Sequence, residues 1–210
     1  MLLPSNDPIE LGLAAFDYTV DPLSAGQPGQ EAYLTRNMAS ISEILQDAGY
    51  RTCTVGKWHL GGPGHGGWGP EELGFDRSSG IYTGGANHWN QGPVHVNARD
   101  PEVMAQIQCG EIPQAPYHEN GQPADRPIGI CSDDLWTSKL MKDIDQDRDG
   151  GKPFFACAAF TTAHVPLQAP DFPIDKHYDR YLELGFDGLH RAGYEAQKQT
   201  GLRGFLTLRR

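Results

Sequence analysis

Two short segments of this chain hold side chains of a kind that can do chemistry: Gly56-Lys57-Trp58-His59-Leu60-Gly61-Gly62 and Thr161-Thr162-Ala163-His164-Val165-Pro166. Lysine supplies a compact permanent cation, and histidine a donor that titrates near neutrality. Gathered around one point, Lys57, His59 and His164 would suit an anion that gains negative charge as it reacts, because fixed cations and donors stabilise developing charge best in a shielded pocket. A phosphate or sulfate ester fits that description. Singly, the residues say less: a lone lysine in a glycine-rich loop is usually solvated, and a histidine before Val-Pro can simply satisfy a buried carbonyl. The deciding question is whether both segments leave neighbouring strands at the same end, since ligands of open α/β sheets bind beyond the carboxyl ends of the strands.

The sequence around both segments has one layout. Ser40-Ile41-Ser42-Glu43 is a capping-box pattern, and Ile41, Ile44, Leu45 and Ala48 then recur at the spacing of a helical apolar stripe. Gly49 stands where a left-handed cap is wanted, and Tyr50 to Val55 is rich in β-formers, so a strand ending at Gly56 is expected. Farther on, Ser132, Asp133 and Asp134 offer capping oxygens to a helix whose face is Leu135, Trp136, Leu140, Met141 and Ile144. After the Asp149-Gly150-Gly151 turn, Pro153 to Phe160 reads as a strand covered on both faces, as parallel sheets require. Helix, turn and strand, twice over, predict an α/β fold. Residues 61–130 read as one long loop-rich insertion of functional surface or lids. Asp175 to Gln199 predicts one or two helices, and residues 203–210 form a basic tail without assignment.

Composition removes several function classes. The 17 Lys and Arg against 27 Asp and Glu give a charge of −10, with no basic cluster, so neither nucleic acid nor an anionic membrane surface is an expected partner. The longest apolar run, Phe154 to Phe160, is far short of the roughly 20 residues that cross a bilayer. The 26 Gly and 16 Pro predict abundant loops, while 8 Phe, 4 Trp and 8 Tyr allow a packed core. No Cys-x-x-C pair appears; Cys53 and Cys157 lie in strand-like runs as expected buried thiols, and Cys109 and Cys131 are open to pairing in an oxidising compartment. Asp145-Gln146-Asp147-Arg148-Asp149-Gly150 matches the start of an EF-hand loop, but its twelfth position is Ala156 where a bidentate Glu is needed, and a strand is expected in place of the exiting helix. A solvated acidic turn is the expectation there.

The run Gly49-Tyr50-Arg51-Thr52-Cys53-Thr54-Val55-Gly56-Lys57-Trp58-His59-Leu60-Gly61 resembles the second signature of the sulfatases. Gly74-Phe75-Asp76, Gly80 and Gly84-Gly85-Ala86-Asn87-His88 resemble the segment that follows it in that family. Pro153 to Phe155 and Thr161 to Pro170 resemble the strand and loop carrying the family's second histidine, and Tyr178 to Leu202 resembles the helical stretch of bacterial arylsulfatases. The resemblance implies a partial alkaline-phosphatase-like sandwich, with a mostly parallel sheet between helices, and hydrolysis of sulfate esters of small molecules or glycans. It further implies that Lys57 binds a sulfate oxygen, that His59 takes a proton when a sulfated intermediate collapses, and that His164 contacts the sulfate and protonates the leaving oxygen.

In the same family the nucleophile is a formylglycine made from a Cys-x-Pro-x-Arg cysteine, beside a calcium ion held by Asp and Asn. None of the four cysteines here has that context. Met1-Leu2-Leu3 resembles the segment downstream of the nucleophile, and the family's metal-binding residues match no position of this chain. The expectation is therefore an internal part of a longer enzyme that keeps Lys57, His59 and His164, has no metal ligands of its own and is inactive alone. The sheet should then keep an unpaired edge. A sulfate-binding pseudoenzyme and a phosphodiester or phosphonate hydrolase of the same superfamily are the alternatives, and a periplasmic or secreted location follows from the resemblance alone.

Overall fold

The structure, a computed structural model, describes residues 6–16, 19–64, 66–89, 100–111, 115–146 and 148–200. It divides into two compact units, Met1–Gln168 and Ala169–Arg210. In the first, strands β1 (Arg51–Lys57), β2 (Arg77–Ile81), β3 (Tyr117–Glu119), β4 (Gln122–Pro123) and β5 (Phe154–Ala159) form one sheet in the order β4-β3-β2-β1-β5. Strand β1 pairs in parallel with both β2 and β5, while β3 and β4 add antiparallel on the β2 side. The parallel centre matches the α/β expectation. The stretch expected to be all loop also supplies β2, β3 and β4, together with α2 (Pro101–Gln108). Its strands are short, β2 is mostly Ser and Gly, and β3 and β4 have three and two residues, so they carry almost no apolar alternation to read.

Side chains alternate across the sheet, and each face has its own core. One gathers Leu11, Leu34, Trp58, Leu73, Phe75 and Tyr82, with Phe155 and Cys157 packed against them. The other joins Val55 and Tyr117 to Leu135 and Trp136 of α3 (Ser132–Asp145). Helix α3 begins at Cys131 without a side-chain cap, although capping oxygens follow directly. Helix α1 (Ile41–Asp47) has the expected capping box: Ser40 Oγ accepts from the Glu43 amide, and the Ser40 amide donates to Glu43 Oε2 at 2.8 Å. Gly49, in the left-handed region at φ 87°, ends it as expected.

Two expectations about burial fail. The apolar stripe of α1 does not anchor it, for Ile41 and Ile44 are exposed; the hydroxyls of Ser40 and Ser42 instead donate to the Leu73 carbonyl at 2.7 and 2.6 Å. Strand β5 is not covered on both faces, since Phe154 and Ala158 are exposed and the other residues, the expected buried thiol Cys157 among them, are only partly buried. It ends the sheet among the described residues, and an edge strand leaves one side of its ladder and much of its faces open. All four cysteines are free thiols; burial is the main cause that pushes Cys53 up to about 11.

The second unit contains α4 (Asp171–Gln199), which is two helical segments joined at Gly185, where φ is 60°. That agrees with the expected one or two helices. No residue of α4 is buried, and Phe172, Tyr178, Tyr181, Leu182 and Phe186 are exposed. No described helix is long and apolar enough to cross a membrane. Residues 203–210 lie outside the described residues.

Candidate active site

The register of β1 against β5 answers the question posed by the two segments. Gly56 pairs with Ala159 in parallel, so Lys57 and His59 on one side and His164 on the other follow strands that end at the same edge. Neighbouring strands are about 4.8 Å apart. Strand β1 is flanked by β2, the next strand in the chain, and by β5, the last, so its neighbours are reached by connections that diverge around it. Such divergence marks the crevice where α/β sheets take ligands.

Glycine makes this edge possible. A Cβ on Gly56 would lie 2.0 Å from the Ala159 carbonyl oxygen, and one on Gly80 would lie 1.9 Å from the Gly56 oxygen. Gly56 also sits at φ 105°. Three strands therefore approach at a point that no side chain could occupy, directly before Lys57. The lysine is half-buried, and burial lowers its pKa from the ordinary value. No described residue supplies it with a carboxylate or hydrogen-bond partner. A desolvated ammonium without a counter-ion is an unmet demand for an anion.

His59 adopts a positive φ of 52° and lies flat on Phe16, with ring centroids 5.2 Å apart and planes 3° from parallel. Gly84 faces its ring: a Cβ there would be 2.9 Å from His59 Cε1. His164 is exposed, and its Nδ1–H donates to the Val165 carbonyl at 2.8 Å, because a carbonyl can only accept. While that bond is made, Nε2 is the ring nitrogen left for another partner.

The loop after β2 connects the two histidines. Gly84 abuts His59 at one end, and at the other the buried His88 ring faces the main chain of His164. The His88 amide donates to Gln168 Oε1 at 3.0 Å, and Thr162 Oγ1 donates to Asp133 Oδ2 in the first turn of α3. The three expected residues thus border one continuous set of loops. Phe16, Gly84, His88 and Ser132 were not foreseen in this role. Gly84 and His88 left a trace as the two ends of the Gly-Gly-Ala-Asn-His run, and Ser132 was read only as a helix cap.

Residues able to hold calcium are not gathered in this part of the molecule: among the described residues no three His, Cys, Asp or Glu side chains cluster for a metal. The EF-hand-like turn falls partly on Asp147, outside the described residues, while Asp145 pairs with Arg148 at 3.4 Å.

The profile of the Sulfatase family matches residues 14–185. An uncharacterized sulfatase of Schizosaccharomyces pombe is 35% identical over 208 residues, covering 96% of this chain and 35% of the yeast protein. An arylsulfatase of Klebsiella aerogenes is 29% identical over 206 residues, 96% of this chain and 40% of its own. The chain therefore spans between a third and two fifths of these relatives. Among solved structures, that of Ps i-CgsB in complex with k-i-k-neocarrahexaose has 26% identity and a TM-score of 0.53, over 69% of this chain and 31% of the other. Fold, signature segments and profile agree: the chain belongs to the sulfatase family, with its alkaline-phosphatase-like α/β fold.

Proposed function

We propose that this chain provides the anion-holding and proton-transferring side of a sulfate-ester site. Lys57 holds a sulfate oxygen, His164 delivers a proton from Nε2 to the leaving oxygen, and His59 accepts a proton when the sulfated intermediate breaks down. The observation that carries this reading is the half-buried Lys57 ammonium without an anionic partner among the described residues, at the sheet edge from which both histidine segments depart. Each role suits its group. The ammonium stabilises charge on sulfate wherever it develops. With Nδ1–H held by a carbonyl, Nε2 donates a proton when the ring is an imidazolium and accepts one when it is neutral.

The substrate class is a sulfate ester of a small molecule or glycan. The described residues do not form a metal cage, so no step is routed through calcium. None of the cysteines has the nucleophile context of the family, and the 210-residue chain is expected to bind sulfate without turning an ester over. Titration with inorganic sulfate, followed by NMR at the Lys57 ammonium and the His164 ring, tests the binding. Saturable shifts that vanish in Lys57→Ala support it; their absence in the unmodified chain defeats it. Release of the aryl alcohol from an aryl sulfate by the purified chain would overturn the expectation of inactivity.

A further inference from the structure

His88 is 1% exposed, yet every polar group it owns but one is engaged. Its amide donates to Gln168 Oε1 at 3.0 Å, and its carbonyl accepts from the Ser132 amide at 2.7 Å and from the Arg126 guanidinium. Its Nδ1 lies 2.6 Å from Ser132 Oγ. The remaining nitrogen, Nε2, is buried without a hydrogen-bond partner among the described residues and belongs to a ring that faces the main chain of His164. His164 itself is exposed, and its ring is bonded only to the carbonyl of the next residue among the described contacts. A bond that short in sequence sets the tautomer only while the ring stays beside that carbonyl. It does not set where the ring stands in space.

We propose that His88 is a positioning residue for His164, holding residues 161–168 against the start of α3 so that His164 Nε2 is presented to a bound sulfate ester. The proposal rests on the reading of Lys57, His59 and His164 as a sulfate site. Burial is the main cause that keeps the His88 ring below its ordinary pKa, so it stays neutral and uncharged beside Arg126 and His164, with Asp133 pulling the other way. A neutral imidazole has one donor and one acceptor. Ser132 Oγ lies 2.6 Å from His88 Nδ1 and donates to Asp133 Oδ1 at 3.4 Å, so one hydroxyl ties the ring to the first turn of α3. Reacting groups displaced by about 1 Å can lose on the order of 100-fold in rate, which makes such a brace consequential.

The test uses the 210-residue chain with labelled imidazole nitrogens. Long-range proton–nitrogen NMR should find His164 mainly as the Nδ1–H tautomer. In His88→Ala, His164 should become a mixture of tautomers, and inorganic sulfate should bind at least tenfold more weakly as read at His164. His88→Gln, whose amide nitrogen can reach the place of Nε2, should restore both. A purely structural role would lower stability without changing the His164 tautomer in the folded protein. If His88→Ala and His88→Gln do not fold, Ser132→Ala removes the Nδ1 partner with His88 in place and should also mix the His164 tautomers. An unchanged His164 tautomer in a folded His88→Ala or Ser132→Ala chain overturns the proposal and leaves the sulfate reading standing. Should the unmodified chain ignore sulfate, the site reading falls instead, and the tautomer comparison still judges His88.

Discussion

At the amino end of β1, Arg51 donates to the carbonyls of Asp143 and Ile144 at 3.5 and 3.3 Å, and Asp76 accepts from the Thr52 amide at 2.9 Å and from Gln46 at 2.7 Å. At the carboxyl end, six residues later, Lys57 has no such answer among the described residues. The amino end even has the larger hollow, about 300 Å³ lined by Arg51, Asp76, Arg77, Asp143 and Lys152. The narrow gap reaching Lys57 is about 10 Å³. Room alone would therefore point to the wrong end. Arginine at the amino end supports the carbonyl-rich terminus of α3, where positive charge is favourable. Among the described residues the charge at the carboxyl end serves no neighbour, and that difference is what marks a candidate site.

The sharpest way to break the comparison is Gly56→Ala. Its Cβ would meet the Ala159 oxygen at 2.0 Å, and its φ of 105° is unsuited to any side chain, so β1 and β5 would have to separate. A loss of about 3 kcal/mol or more is expected, with failure to fold as the extreme. Urea unfolding measures it, and a variant within about 1 kcal/mol of the parent would mean that the edge does not need this close approach. Asp76→Ala comes next. It leaves the buried Thr52 amide without its acceptor, while the Thr52 hydroxyl keeps the Gly74 carbonyl at 2.6 Å, for a loss of about 1–3 kcal/mol at neutral pH. Burial would raise the Asp76 pKa, but bonds from the Thr52 amide, the Gln46 side chain and the Thr52 hydroxyl hold it below the ordinary value. The carboxylate therefore stabilises above its unfolded pKa and loses that effect as pH falls through the folded one. The gap between parent and variant should narrow below about pH 4.

Much of what leads into and forms β1 was legible because its elements are local. The Ser40–Glu43 capping box and Gly49 lie within a few residues of what they do, and the β-formers from Tyr50 to Val55 announce their strand directly. Strand β2 was not legible, since Arg77-Ser78-Ser79-Gly80-Ile81 owes its place to the Gly56–Gly80 approach and to pairing with β3, both remote in sequence. The half-exposed Phe154 was misread for the same kind of reason: an apolar run records what a strand can tolerate, whereas coverage depends on which neighbours pair with it. Lys57, His59 and His164 could be named from their motifs. His88 could not, because its role consists of contacts to Ser132, Gln168 and His164, 44 residues or more away along the chain.

Lys57→Met should give the smallest stability effect and the one most telling for the comparison, because its sign is opposite to that of Asp76→Ala. Burial disfavours the Lys57 ammonium, so the folded state binds its proton less readily than the unfolded chain does. That penalty is complete below the folded pKa and is relieved as pH rises from there toward the unfolded value of about 10.4. Replacing the ammonium with an apolar chain of similar length removes the penalty while keeping the packing of the stem. Stability at neutral pH should stay level or rise by no more than about 0.5 kcal/mol, and the advantage should fade near pH 10. Sulfate binding should disappear in the same protein. A Lys57→Met chain that is clearly destabilised would show that the lysine answers a structural demand after all, and the two ends of β1 would then differ in geometry but not in purpose.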